Sequence, residues 1–236
     1  MNDEQVNPNA LPKHVQVREW LIRNIASGRL VDGEKLPPER DMAEELGIAV
    51  GTLRKALAKL VDRGMLERVQ GSGNYVRHSS ESESIYAMFR LELHNGGGLP
   101  TADLISVDWM EKTHDLPKFG EDQFASRIRR MRYLDETIIA VEEIWLDGSV
   151  GKVTSKQVSD SLYHLYQKQF GFWVQRAEDR VGIGQVPDWS PELFTLKKGT
   201  TTGFIERFSW VSGAAPFEYS RTWFDTNNAV YVQRMK

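Results

Sequence analysis

Apolar residues recur at helical spacing in three segments near the start of the chain. The first covers residues 15–25, the second begins near Pro38, and the third runs from about 50 to 63. In the third segment Leu53 and Leu57 are four residues apart, a spacing that places two side chains on one face of a helix. The pattern therefore predicts three short amphipathic helices with a shared core.

Glycines mark the ends of the second and third predicted helices. Gly47 and Gly64 each follow the last apolar residue of a segment and can supply the left-handed conformation that ends a helix. Residues 65–69 then alternate like a strand, residues 70–74 form a polar, glycine-rich turn, and residues 75–77 return as a second strand. Two helices joined by a tight turn and followed by such a hairpin are typical of a winged helix-turn-helix, which reads the major groove of DNA.

Strand-like runs dominate the remainder of the chain. Helical spacing is clear only at residues 154–170 and, more briefly, at 190–196. Short turns such as Asp135-Glu136 join neighbouring runs, so the pattern predicts an α+β domain built on an antiparallel sheet. The predicted strands are 105–110, 126–134, 138–146, 172–183, 201–211, 217–224 and 230–234.

A polar run separates the two regions. Residues 78–84 contain no apolar side chain and have the composition of a flexible linker. We therefore predict a DNA-binding domain at 1–78 with its core at 14–78, a linker at 79–84, and a second domain at 85–236.

Composition agrees with two globular domains. The chain has 236 residues, of which 40% are hydrophobic and 27% are charged. It has no cysteine, no apolar run of the roughly eighteen residues that a membrane span requires, and a polar N-terminus, so we expect a cytoplasmic protein. Residues 1–78 carry 12 Lys or Arg and 11 Asp or Glu, and the rest of the chain carries 18 and 22. Affinity for DNA must therefore come from basic groups clustered on one surface, and from two copies acting together.

The third predicted helix carries the candidate base contacts. A helix fits the major groove, where each base pair presents a distinct pattern, so Thr52 and Arg54 are the expected readers. Arg40 lies on the second helix within reach of a guanine edge or a phosphate, and amides of residues 71–73 can approach the sugar-phosphate backbone. An exposed arginine on an arbitrary helix is usually a solvated charge, but the turn and the hairpin favour contact with DNA. The candidates are Arg40, Thr52, Arg54, Lys55, Gln70, Gly71 and Ser72.

These motifs resemble the DNA-binding domain of the GntR family of bacterial transcriptional regulators. The matching stretches are Leu36-Pro37-Pro38-Glu39-Arg40, Leu46-Gly47-Ile48, residues 52–57 and residues 70–76. The resemblance implies that Arg40, Thr52, Arg54 and Gly71 contact DNA. Ala49-Val50-Gly51 stands where many relatives have Ser-Arg or Thr-Arg, so more of the guanine readout would fall to the two arginines, and Val50 would meet a thymine methyl group.

Residues 85–236 resemble the UTRA effector-binding domain of the HutC subfamily of these regulators, whose fold is similar to chorismate lyase. The matching stretches are 130–133, 139–142, 204–207 and 216–221. The resemblance implies an effector pocket lined by two arginines on one strand and two glutamates on others, near a loop that closes it. Phe224-Asp225 stands where relatives often have Tyr-Arg, which alters one ligand contact. The implied effector-binding residues are Phe89, Arg90, Arg130, Arg132, Glu142, Glu218 and Phe224.

Strand alternation supports such a pocket. Arg130 and Arg132 lie two residues apart, so their guanidinium groups share a face and can converge on a carboxylate or phosphate. The two glutamates would accept hydrogen bonds from hydroxyl or amine groups of the same ligand. The alternative is that these arginines and glutamates pair with one another on an exposed sheet face, in ion pairs that contribute little. Arg127 and Arg129 point to the other face and are expected to lie in solvent.

These observations predict a repressor of a catabolic operon that binds a pseudo-palindromic operator as a homodimer and is released by a small polar or anionic effector. The homodimer is expected because two identical DNA-binding domains match two half-sites. The five histidines lack metal-ligand spacing and no nucleophile motif occurs, so we assign no metal, cofactor or catalytic residue. Three alternatives stay open: a chorismate lyase-like enzyme, a GntR regulator with an all-helical sensor, and an activator.

Overall fold

The computed structural model of the chain describes residues 11–26, 28–77, 88–159, 161–211, 213 and 215–234. The chain divides into two compact units, Leu11–Arg90 with the residues from Val232 onward, and Leu91–Tyr231. The linker expected at 79–84 lies outside the described residues. Within the described ranges, no helix has the length and apolar character needed to cross a membrane.

The N-terminal unit is a three-helix bundle with a β-hairpin. Its core forms where the apolar faces of the helices meet, and Leu21, Leu53 and Leu60 are completely buried there. The predicted winged helix-turn-helix is confirmed. The elements are α1 (Lys13–Ala26), α2 (Glu39–Glu45), α3 (Val50–Asp62), β1 (Leu66–Val69) and β2 (Gly73–Val76).

The turns of this unit follow the glycine positions. Gly47 and Gly64 have φ values of 59° and 67°, the left-handed conformation expected after α2 and α3. In the hairpin Leu66 pairs with Val76 and Val69 pairs with Gly73. The turn is therefore shorter than the predicted 70–74, because the second strand already begins at Gly73.

The C-terminal unit is built on a six-stranded antiparallel sheet with strand order β4-β5-β6-β9-β8-β7, beside a two-stranded sheet of β3 and β10. Each predicted strand run overlaps one of these strands, so the α+β prediction is confirmed. The elements are β3 (Leu91–Leu93), β4 (Pro100–Glu111), β5 (Phe124–Leu134), β6 (Thr137–Asp147), α4 (Leu162–Phe170), β7 (Arg176–Gln185), β8 (Thr201–Trp210), β9 (Glu218–Phe224) and β10 (Ala229–Tyr231).

Two predicted helices in this unit are wrong in part or in full. The helix expected at 154–170 begins only at Leu162, after Ser161 accepts a hydrogen bond from the backbone N–H of His164 at 3.3 Å. Upstream, the Thr154 backbone N–H and hydroxyl both donate to the Gln157 side chain at 2.8 Å, a local turn that competes with helix. Residues 190–196 form turns instead of a helix.

One face of the large sheet packs against α4. Ile128 of β5 and Ile144 of β6 are buried together with Leu165 and Tyr166 of the helix. Side chains two residues apart on a strand share a face, so Arg130 and Arg132 of β5 and Glu142 of β6 lie on the same face as these two isoleucines. Helix α4 therefore packs on the face of the sheet that carries the effector-binding candidates.

Candidate functional site

The exposed side of α3 presents the candidate base readers. Leu53 and Leu57 are buried in the core, which directs Arg54 and Lys55 outward and leaves Thr52 half-exposed. The helix begins after Ala49, whose side chain makes no capping hydrogen bond. Gly51 is exposed in the first turn of α3, so the groove of a DNA duplex can reach this turn. We call α3 the recognition helix and the hairpin β1–β2 the wing.

A single carboxylate connects the recognition helix to the wing. Glu39, in the first turn of α2, accepts a hydrogen bond from Arg54 Nε at 2.6 Å and another from Arg68 Nη2 at 3.1 Å. The hydrogen bond from Arg54 lowers the pKa of the Glu39 carboxyl, and the charges of Arg54 and Arg68 act in the same direction. An ionised glutamate therefore holds one cation from each of two elements.

The wing turn lies beside this cluster. Gly71 has a φ of 76°, and the hydroxyl groups of Ser72 and Tyr75 are 2.7 Å apart. A cleft of about 410 Å³ between the wing and the start of α2 is lined by residues 35–39 and 68–74. The structure thus brings the wing turn, Glu39 and Arg68 to one cleft.

The remaining DNA candidates have simpler surroundings. Arg40 is exposed on α2, and Thr52 and Lys55 lie on the outer side of the recognition helix. Their contact with DNA stays a prediction. Sequence reasoning missed Glu39 and Arg68, although Glu39 stands inside one of the quoted motifs.

Gly51 offers a test of how closely the recognition helix approaches DNA. A Cβ at Gly51 would meet no atom within 4 Å, so Gly51→Ala should stabilise the fold by up to about 1 kcal/mol through helix propensity. The added methyl group lies in the first turn, so we expect it to weaken binding to operator DNA. Thermal melting and fluorescence anisotropy on one preparation measure both effects. A variant that gains stability and loses no affinity would show that this turn stays clear of the groove.

In the C-terminal unit, two arginines share one buried carboxylate. Arg130 of β5 donates to Glu142 of β6 through Nε at 2.7 Å, and Arg132 Nη1 is 3.7 Å from the same oxygen. Burial alone would raise the pKa of Glu142, but the charges of Arg130 and Arg132 outweigh that effect and lower it. Two guanidinium groups therefore lie beside one carboxylate on this face.

A second carboxyl on the same sheet face behaves differently. Glu218 of β9 accepts a hydrogen bond from Ser209 at 2.8 Å on one oxygen and from Tyr166 of α4 on the other. Burial raises the pKa of Glu218, although these hydrogen bonds and the charge of Arg207 oppose the rise. The two carboxyl groups on this face therefore have pKa values shifted in opposite directions.

A bidentate ion pair between Arg207 and Asp179 lies on the same face. Arg207 of β8 donates two hydrogen bonds, at 2.5 and 2.6 Å, to the two oxygens of Asp179 on β7. The Tyr231 hydroxyl also donates a hydrogen bond to Asp179 at 2.7 Å. Sequence reasoning missed these residues. The only signal was the quoted stretch 204–207, whose arginine was not assigned a role.

Of the other effector-binding candidates, Phe224 lies in the C-terminal unit, whereas Phe89 and Arg90 lie in the N-terminal unit. The ring of Phe224 packs on Gly203, where a Cβ would lie 2.3 Å from the ring. Phe89 and Arg90 belong to the N-terminal unit, where the Arg23 guanidinium lies 4.9 Å from the Phe89 ring centre and Arg90 Nε donates to Gln233 at 2.7 Å. The structure therefore groups the two arginines, the two glutamates and Phe224 of the implied pocket on one face, since Ala140 pairs with both Arg132 and Phe224.

Two expectations about exposure are corrected. Arg127 and Arg129 were expected in solvent, but their side chains are only 20% and 19% exposed, and they pair with Asp108 and Glu143. Other segments cover the second face too, since the Trp189 ring lies 4.6 Å from the Arg129 guanidinium. Likewise, Arg130 does form an ion pair, but in a buried site and not on an open sheet face.

Within the described ranges, no group of three or more His, Asp or Glu residues is placed to hold a metal ion.

These features define a class of protein: a transcriptional regulator whose DNA-binding unit is joined in one chain to an α+β effector domain. Residues 13–76 match the bacterial regulatory proteins of the gntR family, and residues 97–229 match the UTRA domain. The chain belongs to the GntR family and carries a UTRA domain. These matches exclude the chorismate lyase-like enzyme, and the six-stranded sheet excludes an all-helical sensor.

Relatives of known name agree with this assignment. The chain is 52% identical over 228 residues to the HTH-type transcriptional regulator SmoD of Agrobacterium fabrum, covering 96% of this chain and 97% of that one. It is 23% identical to the HTH-type transcriptional repressor NagR of Bacillus subtilis, covering 100% and 98% of the two chains. The crystal structure of YydK from Bacillus subtilis has the same fold, with a TM-score of 0.54 at 21% identity over 96% of this chain and 100% of that one.

Proposed function

We propose that this regulator represses transcription by binding a pseudo-palindromic operator as a homodimer, and that a small effector bound near Arg130 and Arg132 releases it. The site of action would be the bacterial cytoplasm. The name of NagR, a repressor that matches over the full chain, supports repression. The homodimer follows from symmetry, because two recognition helices match two half-sites. The domain limits proposed are 1–78, a linker at 79–84 and 85–236.

The observation that carries the effector proposal is the shared carboxylate. Arg130 and Arg132 both face Glu142 in a largely buried site, so two guanidinium groups lie beside one carboxylate there. Guanidinium groups bind carboxylates and phosphates in bidentate fashion, and Glu218 adds a group that can bond to hydroxyls. We therefore expect a polar or anionic effector, such as a carboxylate, a phosphate or a sugar derivative. Coupling between the two sites would weaken operator binding by about 1–3 kcal/mol.

A thermal-shift screen on the full chain tests this proposal. Metabolites carrying carboxylate, phosphate or sugar groups are added singly, because a ligand that binds only the folded state raises the apparent stability by mass action. A compound that raises the melting temperature is then added to the protein bound to operator DNA. Release of the DNA is expected. A stabilising compound that leaves DNA binding unchanged would contradict the proposed role of the site.

A further inference from the structure

We propose that Glu39 is a positioning residue for operator recognition: its carboxylate holds Arg54 of the recognition helix and Arg68 of the wing in the orientation in which both contact DNA. The inference rests on the proposed operator binding. The same arrangement assigns Arg68 of the wing as a DNA contact.

Glu39 and the two arginines that it contacts differ in their exposure to solvent. The Glu39 side chain is 19% exposed, whereas those of Arg54 and Arg68 are each 62% exposed. Each carboxylate oxygen serves a different arginine, Oε2 for Arg54 and Oε1 for Arg68. A guanidinium has five N–H donors, so a hydrogen bond to Glu39 leaves others for a guanine edge or a phosphate. The anion lies beneath two outward-facing cations.

Glu39 is itself fixed by the elements around it. It lies in the first turn of α2, directly after Pro38, and its side chain is only 19% exposed. One side chain thus links α2, the recognition helix and the first strand of the wing. Ordering two long arginine side chains before DNA arrives reduces the entropy lost on binding.

A carboxylate beside DNA also repels phosphates, and this opposing effect makes the proposal testable. If Glu39 only repelled DNA, removing its charge would strengthen binding to every duplex alike. If it positions the arginines, Glu39→Gln should lower affinity for the operator by about tenfold, the effect of one lost base contact, while affinity for unrelated DNA stays equal or rises. The ratio of the two affinities is the discriminating quantity.

The chain offers a matched control for the charge change. Glu67 lies on the same hairpin and pairs with Arg77, with both side chains about half exposed. Glu67→Gln removes the same charge without touching Arg54 or Arg68, so it should preserve the ratio. Glu39→Asp retains the charge but shortens the side chain, so a lower ratio in this variant reports geometry alone.

The experiment uses a duplex enriched by the wild-type protein from a random-sequence pool and a shuffled duplex of the same composition. Both are titrated by fluorescence anisotropy at several salt concentrations, and thermal melting verifies the fold of each variant. We expect Arg68→Ala to weaken binding to both duplexes and to reduce the slope of log affinity against log salt by about one, the signature of a lost phosphate contact.

Two results would overturn the role of Glu39: a Glu39→Gln ratio equal to that of Glu67→Gln, or operator affinity that rises more than affinity for the shuffled duplex. The second result would mean that Glu39 restrains Arg54 away from DNA. Failure of the wild-type protein to enrich any sequence would instead contradict operator binding itself, so the two failures are distinguishable.

Discussion

Arg54→Ala is expected to remove most of the preference for operator DNA over non-specific DNA while leaving the fold intact. The side chain is 62% exposed and contacts Glu39 instead of the core, so the change in folding free energy should stay within about 0.5 kcal/mol. A bidentate contact between arginine and guanine contributes about 1–3 kcal/mol, and a symmetric dimer loses two of them. The total of about 2–6 kcal/mol is a large part of the gap of about 4–10 kcal/mol that separates specific from non-specific binding.

Footprinting on an operator duplex measures this loss, and size-exclusion chromatography verifies that the assembly is unchanged. Lys59→Ala is the control, because Lys59 is equally exposed on the same helix but pairs with Asp62 near its far end. This control should retain the footprint. An unchanged footprint for Arg54→Ala would remove Arg54 from the readout.

Arg132→Ala is expected to keep operator binding and to raise strongly the effector concentration that is needed for release. The side chain is buried beside Glu142, but Arg130 still pairs with that carboxylate in the variant, so Glu142 keeps a partner. A hydrogen bond to a charged group contributes about 1.5–3 kcal/mol, so effector affinity should fall by roughly 10- to 150-fold. The measurement is the effector concentration that releases half of the bound operator DNA.

Arg127→Ala provides the matched control for this experiment. Arg127 lies on the same strand but on the opposite face of the sheet, where it pairs with Asp108. It carries the same charge, so its removal tests the effect of net charge on release. An unchanged release midpoint for Arg132→Ala, or a midpoint shifted equally by both variants, would contradict the proposed effector site.

Local signals were sufficient to predict most of the fold. Glycine positions gave the ends of α2 and α3, and strand alternation placed Arg130 and Arg132 on one face. The helix expected at 154–170 was too long because the apolar spacing continues through a segment where Thr154 and Gln157 bond to each other. Apolar periodicity reports which side chains face a core, but not which backbone conformation brings them there.

The candidate sites depend on contacts that local patterns cannot reveal. Glu39 lies 15 residues from Arg54 and 29 from Arg68, and Tyr166 lies 52 residues from Glu218. Only the register of the hairpin and the sheet brings these pairs together. Charge and spacing could therefore name candidate ligands for DNA and effector, but not the groups that orient them.

The carboxylate that Arg130 and Arg132 share has a consequence for the sensitivity of the proposed switch. An anionic effector would compete with Glu142 for the two arginines. Because Glu142 belongs to the same chain, its local concentration is very high. Such competition shifts the response to higher effector levels, so background amounts of a metabolite would leave transcription silent. Substituting Glu142 would then change the effector concentration at which the genes are expressed. Glu142 would therefore set the threshold of the response.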